Sequence, residues 1–309
     1  TSRRGFGWNV QITDNTVSNS GDDGIDVADS RNVYINGNVV TDSDSSGMEL
    51  SDINIVVATN NEIYASGQEG IDGDDIFSAF LGGNTIAGAD SDGIELDDVT
   101  FATLVGNTIS DVDSDGIDVD DSFAVSVVDN TVEDAGDNGI ELSDAVFAYV
   151  GDNRVKRSGD DGVDLDDINF ATVENNRIRR SGDDGVDAED VGVLFVRDNI
   201  IKNSDGNGVE VTGGDFARIN RNVITNSDDS GVDVYGTDLV RVNRNDISSS
   251  GDNGIYVENA ENVRVKYNTI YDSGENGVYV IDVDGAANVK WNTISESEED
   301  GILVEEVDV

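Results

Sequence analysis

Residues 91–116 read SDGIELDDVTFATLVGNTISDVDSDG and contain one complete unit of a pattern that fills the chain. The glycine of its Asp-Gly step, Gly93, returns 23 residues later as Gly116. The same interval connects the glycines Gly24, Gly47, Gly70, Gly93, Gly116, Gly139, Gly162, Gly185, Gly208, Gly231, Gly254 and Gly277, and only the last step, to Gly301, is 24. A fixed period of this length predicts a solenoid in which each repeat forms one coil.

Apolar or small residues within the unit recur two positions apart, as in Ile94 and Leu96 and again in Ala102 and Leu104. A spacing of two is strand periodicity, and it predicts three short strands per coil with alternate side chains pointing inward. Fourteen positions after each glycine stands an asparagine, in an unbroken series from Asn15 to Asn292. Stacked at about 4.8 Å, each amide can donate to the next and accept from the previous one, so we interpret the series as structural.

The coil length, the inward aliphatic stacks and the asparagine series resemble the right-handed parallel β-helix superfamily, which has the pectate-lyase-like fold. The resemblance covers nearly the whole chain. It predicts an all-β fold: one right-handed parallel β-helix domain over residues 1–309, with about thirteen coils of 23 residues and three short strands per coil. The superfamily includes polysaccharide lyases, glycoside hydrolases, uronate epimerases, phage tailspikes and non-enzymatic surface proteins, so the resemblance leaves the activity open.

The two ends of the chain show no capping element in the sequence pattern. The first coil begins within a few residues of Thr1, and the chain stops just after a strand at Val309. Open strand edges recruit other strands, so we expect either a segment of a longer protein or a unit that associates with itself end to end.

The composition excludes several classes of function. There are 66 acidic and 18 basic residues, giving a net charge of −48, and there is no cysteine, histidine or proline. Nucleic acid is not an expected partner, because phosphate recognition needs a basic footprint. Histidine acid–base chemistry, disulfides and thiolate metal sites are impossible. No apolar run reaches the roughly 20 residues that a membrane span needs.

Two columns of carboxylates are the strongest candidates for a site. One stands two residues after the glycine and the other five residues after it. Neighbouring charges 4.8 Å apart in water repel by about 0.9 kcal/mol, so a cation is expected to screen them. Calcium fits because it takes six to eight oxygens. The predicted metal ligands are Glu95, Asp98, Asp118, Asp121, Glu141, Asp144, Asp164, Asp167, Asp187 and Asp190. The alternative is a surface solvated by concentrated monovalent cations.

The few basic residues also align between coils, which leaves two interpretations open. Arg154, Lys156 and Arg157 precede Arg177, Arg179 and Arg180 by one repeat, and a second set surrounds Arg218, Arg241 and Arg264. Such columns either bind an acidic polysaccharide, since arginine pairs with carboxylates bidentately, or balance the neighbouring aspartates.

The resemblance also implies an enzyme hypothesis. Asp160-Asp161, Asp183-Asp184 and Arg177-Ile178-Arg179 are similar to fragments of β-helix polygalacturonase motifs, although the histidine of those motifs cannot exist here. Lyase chemistry needs only calcium on carboxylates and an arginine base, which makes Arg179, Arg180, Asp183 and Asp184 the candidate catalytic residues. Coils of constant length, however, leave no long loops to build a cleft.

The sequence therefore favours a non-catalytic acidic solenoid that is extracellular or on a cell surface. It would act as a spacer, adhesin segment or filament subunit and be stabilised by bound cations, with Ca²⁺ the predicted ion. The alternative is a polysaccharide-active enzyme or a carbohydrate-binding β-helix.

Overall fold

The computed structural model describes residues 10–308, which fold as stacked coils of short strands without any helix. Each coil contributes one strand to each of three parallel sheets, called A, B and C here in the order in which they follow the repeating glycine. Connections between strands are two to four residues long, except where sheet A is interrupted. The predicted solenoid of about thirteen coils, with 23 residues and three strands per coil, is confirmed.

The strand bounds follow the repeat. Sheet A contains Ile25–Ala28, Met48–Ser51, Ile71–Asp74, Ile94–Asp97, Ile117–Val119, Ile140–Ser143, Val163–Asp166, Val209–Thr212, Val232–Tyr235 and Ile302–Val304. Sheet B contains Val10–Thr13, Asn32–Asn36, Ile55–Thr59, Ser78–Gly82, Phe101–Val105, Ala124–Val128, Phe147–Gly151, Phe170–Glu174, Val193–Arg197, Phe216–Asn220 and Leu239–Asn243. Sheet C contains Thr16–Ser20, Val39–Ser43, Glu62–Ser66, Thr85–Ala89, Thr108–Val112, Thr131–Ala135, Arg154–Ser158, Arg177–Ser181, Ile200–Ser204, Val223–Ser227, Asp246–Ser250, Thr269–Ser273 and Thr293–Ser297. Two long strands, Ile255–Lys266 and Val278–Lys290, belong to both A and B.

Two irregularities interrupt this pattern. In the eighth coil, sheet A is reduced to isolated bridges at Val186 and Glu189. The additional residue of the last 24-residue step lies in the strand Val278–Lys290, where the register shifts opposite Ala260 and Asn262. A β-bulge can absorb one residue without breaking the stack of coils.

The core is a set of apolar columns inside the three sheets. Ile94, Leu96, Ala102, Leu104 and Ile109 are all buried, as the alternation of the sequence predicts. Each lies beside its equivalent in the next coil; Ala102, for example, is in register with the residues 23 positions before and after it. Burial of these columns is the main favourable contribution to folding.

The asparagines form a continuous buried ladder between sheets B and C. Asn107 Nδ2 donates to Asn130 Oδ1 at 3.0 Å and to the Leu81 carbonyl at 3.0 Å. The backbone N–H of Asn107 donates to the same Asn130 oxygen at 2.9 Å. The pattern runs from Asn15 to Asn292, so the structural interpretation of these residues is confirmed.

Replacing one rung of this ladder should be costly. In Asn130→Ala, the N–H and Nδ2 groups of Asn107 lose their buried acceptor, and we expect the free energy of unfolding to fall by about 2 to 3 kcal/mol. Urea unfolding followed by circular dichroism measures the change. The exposed Asn54, which lies outside the ladder, provides the control; Asn54→Ala should change the stability by less than about 0.5 kcal/mol. Equal losses in both variants would contradict a role for the ladder in stability.

Within residues 10–308, the structure contains no helix long and apolar enough to cross a membrane.

Candidate functional site

The outward face of sheet A carries a column of carboxylates at the second position after the glycine. Glu95, Asp118, Glu141 and Asp164 are direct neighbours in the parallel register, one per coil. All four are half-buried, because the strands place them between two inward-facing apolar residues. Neighbouring members are therefore held at about the inter-strand spacing of 4.8 Å.

A second column, formed by the residue before each glycine, lies beside the first and is more deeply buried. Asp92 Oδ1 accepts the backbone N–H of Asp115 at 2.7 Å, and Asp115 Oδ1 accepts that of Asn138 at 2.6 Å. Asp161 Oδ1 accepts the N–H of Asp184 at 2.6 Å in the same way. These residues form a second polar ladder, which we did not predict from the sequence.

Together the two columns form a surface called the acidic strip here: Glu69, Asp72, Asp92, Glu95, Asp115, Asp118, Glu141, Asp161, Asp164, Asp184 and Asp187. At two places it brings three carboxylates together so that one oxygen of each lies within 4.8 Å of the others. The two clusters are Glu69 with Asp92 and Glu95, and Asp161 with Asp164 and Asp187.

Burial and mutual repulsion raise the pKa values in this strip. Burial first, and then the charge of Glu141, raise the pKa of Asp115 to about 8 and that of Asp118 to about 7. Burial and the charge of Asp187 raise the pKa of Asp164 to about 7. Burial first, and then the charge of Glu69, raise the pKa of Glu95 to about 7. At neutral pH these groups require either a proton or a cation.

Two carboxylate oxygens in the column lack any partner. Oδ1 of Asp118 and Oδ1 of Asp187 are shielded from solvent and accept no hydrogen bond. A buried oxygen of an ionised carboxylate without a donor is costly. These two atoms are the positions at which the strip most needs a ligand.

The column five residues after the glycine has a different environment. Asp98, Asp121, Asp144, Asp167 and Asp190 are exposed, and all have left-handed backbones, with φ between 48° and 51°. Aspartate tolerates this conformation better than most residues, so turn geometry explains its recurrence there.

The two predicted columns do not meet in the clusters described here. Asp98 lies with Asp74 and Asp97, and Asp121 lies with Asp97 and Asp120. The companions of Asp98 and Asp121 are thus the residues four positions after the glycine, on the exposed edge of sheet A. The sequence did not indicate these partners.

The candidate catalytic residues have different environments. Arg179 projects from sheet C, where its Nε is buried without a partner, and Arg180 is exposed at a left-handed turn. Asp183 is exposed, whereas Asp184 is buried and accepts the N–H of Asn207 in the second ladder. Within residues 10–308, no hydrogen bond or ion pair joins either arginine to either aspartate.

An exposed aromatic column was also missed. The rings of Phe77, Phe101, Phe123, Phe147 and Phe170 follow one another along the corner between sheets A and B, with centroids 5.5 to 5.7 Å apart. They are 40 to 52% exposed. The recurrence of phenylalanine at nearly constant intervals was the available signal.

The chain belongs to the right-handed β-helix family: the sequence profile described as "Right handed beta helix region" matches residues 4–155 and 161–307. No curated relative matches the sequence significantly.

Several solved structures share the fold at low sequence identity. The catalytic unit of a thermostable α-1,3-glucanase from Streptomyces thermodiastaticus has a TM-score of 0.56 and 16% identity, over 93% of this chain and 62% of the glucanase chain. The A-module of a mannuronan C-5 epimerase from Azotobacter vinelandii has a TM-score of 0.48 and 13% identity, over 97% and 87%. The surface adhesin PfbA of Streptococcus pneumoniae has a TM-score of 0.44 and 12% identity, over 89% and 85%. The similarity to the glucanase shows a common fold.

Proposed function

We propose that this chain is a non-catalytic scaffold, extracellular or on a cell surface, whose acidic strip is held together by bound Ca²⁺. It acts as a spacer, adhesin segment or filament subunit. The observation that carries the proposal is the pair of buried, unpartnered oxygens of Asp118 and Asp187 within a column of carboxylates at strand spacing.

The dimensions of the strip suit calcium. Oxygens that bind one Ca²⁺ lie about 2.4 Å from it, so two ligands of one ion are at most about 4.8 Å apart. The carboxylate clusters at Glu69, Asp92 and Glu95 and at Asp161, Asp164 and Asp187 meet this limit. An ion at each would neutralise charges whose mutual repulsion and burial raise the pKa values of the strip. The remaining ligands would be water.

The scaffold assignment rests on the uniform coils. Connections of two to four residues leave little chain from which to build the walls of a substrate cleft. Within residues 10–308, the candidate catalytic arginines also form no hydrogen bond or ion pair with the candidate aspartates. A rigid rod of constant cross-section is suited to holding other parts of a surface at a distance, and stacking of copies end to end would extend it.

Thermal melting at fixed ionic strength tests the cation proposal. Calcium at 100 times its dissociation constant stabilises by about 2.7 kcal/mol per site, so several sites should raise the Tm by roughly 10 °C relative to EDTA. The variant Asp164→Asn/Asp187→Asn removes ligands of one of the two clusters and should lose about half of this response. The matched control, Asp205→Asn/Asp228→Asn, changes two exposed aspartates and should keep it. The same rise with NaCl at equal ionic strength would instead support screening by monovalent cations.

The alternative is a polysaccharide-active enzyme, and one observation favours it. Arg179 Nε is shielded from solvent without an acceptor, which is unusual for a guanidinium and is a feature of residues prepared for a ligand. Incubation with polygalacturonate, pectate and alginate, with and without Ca²⁺, distinguishes the two functions. A scaffold releases no products; release of unsaturated uronides that Arg179→Gln abolishes would replace the scaffold proposal with a lyase.

A further inference from the structure

The basic residues are concentrated in the second half of the chain. Fifteen of the 18 lie between Arg154 and Lys290. The parallel register aligns them into columns, one on sheet C around Arg177 and one on sheet B around Arg241. The two groups differ in whether carboxylates line the clefts beside them.

On sheet C, neighbouring acids neutralise part of the group. Lys156 forms an ion pair with Glu133, and Arg157 pairs with both Glu133 and Asp134. At the start of the sheet B group, Arg197 pairs with Glu174 in the same manner, at 2.5 Å. Charge balance, one of the two interpretations of these columns, is therefore confirmed for these residues.

The centre of the sheet B group is different. Arg218, Arg241 and Arg264 are consecutive neighbours in the register, so three guanidinium groups project from one face at strand spacing. None of the three forms an ion pair within residues 10–308. Arg241 instead lies over the ring of Phe216, at 5.1 Å from its centroid.

These arginines line a shallow cleft of about 250 Å³. Arg244 and Lys266 complete its cationic lining, and the amides of Asn220 and Asn243 lie between the cations. No side chain from the described part of the chain brings a carboxylate into this lining. The arrangement is notable because acidic residues outnumber basic ones by 66 to 18.

The absence of a counter-ion has an energetic consequence. Neighbouring guanidinium groups at the strand spacing of about 4.8 Å repel each other in water. By contrast, Arg221, directly after the strand that carries Arg218, pairs with Asp198 at 2.5 Å. An anion with several charged groups at strand spacing would replace this repulsion with bidentate hydrogen bonds.

We propose that this cleft on sheet B binds a linear acidic polysaccharide that carries carboxylate or sulfate groups, with Arg218, Arg241 and Arg264 each contacting an anionic group. The chain of sugars lies along the solenoid axis, and the half-buried Asn243 forms hydrogen bonds with its hydroxyl groups. The site is distinct from the acidic strip. It does not depend on calcium, since the side chains that contact the polysaccharide are cationic groups and an amide.

Two neighbouring aromatic residues provide a surface against which a sugar ring can pack. Tyr267 and Trp291 stack on each other at the end of the cleft, with centroids 4.9 Å apart. Arg244 lies over the ring of Tyr267 and Lys266 over that of Trp291, and the two rings are 48 and 65% exposed.

Binding is measured by fluorescence anisotropy in EDTA, so that calcium cannot bridge the ligand to the acidic strip. The probes are labelled polygalacturonate and chondroitin sulfate, with neutral dextran and single-stranded oligothymidine as comparisons. We expect the two acidic polysaccharides to bind, more weakly as salt increases, and dextran not to bind. Tighter binding of oligothymidine than of both polysaccharides would overturn the proposal.

Charge-matched variants locate the site. Arg218→Gln/Arg241→Gln/Arg264→Gln should weaken binding at least tenfold, whereas Arg154→Gln/Arg177→Gln/Lys202→Gln, with the same change in net charge on sheet C, should weaken it less than threefold. Circular dichroism verifies folding, and the single change of the exposed Arg264→Gln serves if the triple variant does not fold. Equal weakening by both triple variants would overturn the proposal. The proposal would also be overturned if the unsubstituted protein bound neither polysaccharide and the sheet B variant sedimented closer to a monomer than the unsubstituted protein. The partner of the cleft would then be a second copy of the chain.

Discussion

Gly116→Val is expected to abolish cooperative folding or to lower the free energy of unfolding by more than about 4 kcal/mol. A Cβ atom at Gly116 would lie 2.3 Å from Val132 Cγ1 and 2.5 Å from the carbonyl oxygen of Gly139. The carbonyl cannot retreat, because it accepts the backbone N–H of Ile117 at 3.2 Å. The glycine is therefore required by the close approach of successive coils, since its φ is not positive.

A second glycine in the same region separates this explanation from simple loss of flexibility. Gly106 has a φ of +66°, and a Cβ there would meet no atom within 4 Å. Gly106→Ala should cost only the left-handed backbone strain, about 1 to 2 kcal/mol. Urea unfolding of both variants, followed by far-ultraviolet circular dichroism, measures the difference. Similar losses in the two variants would mean that contact between coils is not what selects glycine at position 116.

The architecture could be predicted because its two strongest determinants are periodic in the sequence. The glycine at the start of each coil and the asparagine fourteen residues later each make a contact with the equivalent residue of the next coil, and the same contact recurs from coil to coil. For Asn107 the contact is the hydrogen bond to Asn130, and for Gly93 it is the approach of Gly116. A solenoid translates such a one-dimensional pattern directly into stacked contacts, so that the period alone identifies the neighbours in space.

The carboxylates were harder to interpret because charge does not reveal backbone conformation. Asp98 and Asp121 recur as regularly as Glu95 and Asp118, so the sequence alone predicts both columns equally well as metal ligands. In the structure, the first pair occupies left-handed turns on the exposed edge, and the second pair lies half-buried on sheet A. Only the second environment desolvates the charge, and desolvation depends on the packing of the strands.

The second polar ladder escaped prediction because its members are chemically mixed. The position before the glycine holds Asp115, Asn138 and Asp161 in successive coils, and serine in others. What these side chains share is an oxygen that accepts the next coil's N–H, as Asp115 does for Asn138. A search for oxygen acceptors rather than for identical residues would have found this column.

Removal of divalent cations is expected to reverse the usual dependence of stability on pH. In EDTA, the Tm should fall as the pH rises from about 5 to about 8. Burial, followed by the charge of Glu141, raises the pKa of Asp115 to about 8 and that of Asp118 to about 7, above their ordinary values. The folded protein therefore binds more protons than the unfolded chain in this range, so the stability present at low pH is lost as these groups ionise.

The size and sign of this effect can be tested with one substitution. The strip contains several such groups, and each contributes on the order of 1 kcal/mol once solvent screening is allowed for, so a loss of several kcal/mol is expected. Arg157 lowers the pKa of Asp134, which makes the stability rise with pH. That rise is complete by about pH 5, below the range of the expected fall. Asp118→Asn should raise the Tm in EDTA above pH 7 and flatten the dependence of Tm on pH, whereas the exposed Asp228→Asn should leave both unchanged.

Saturating Ca²⁺ should remove the fall of Tm with pH in the unsubstituted protein. A Tm that rises steadily with pH in EDTA would show that the strip is not a cluster of desolvated carboxylates, and the basis for a calcium-stabilised scaffold would then be lost.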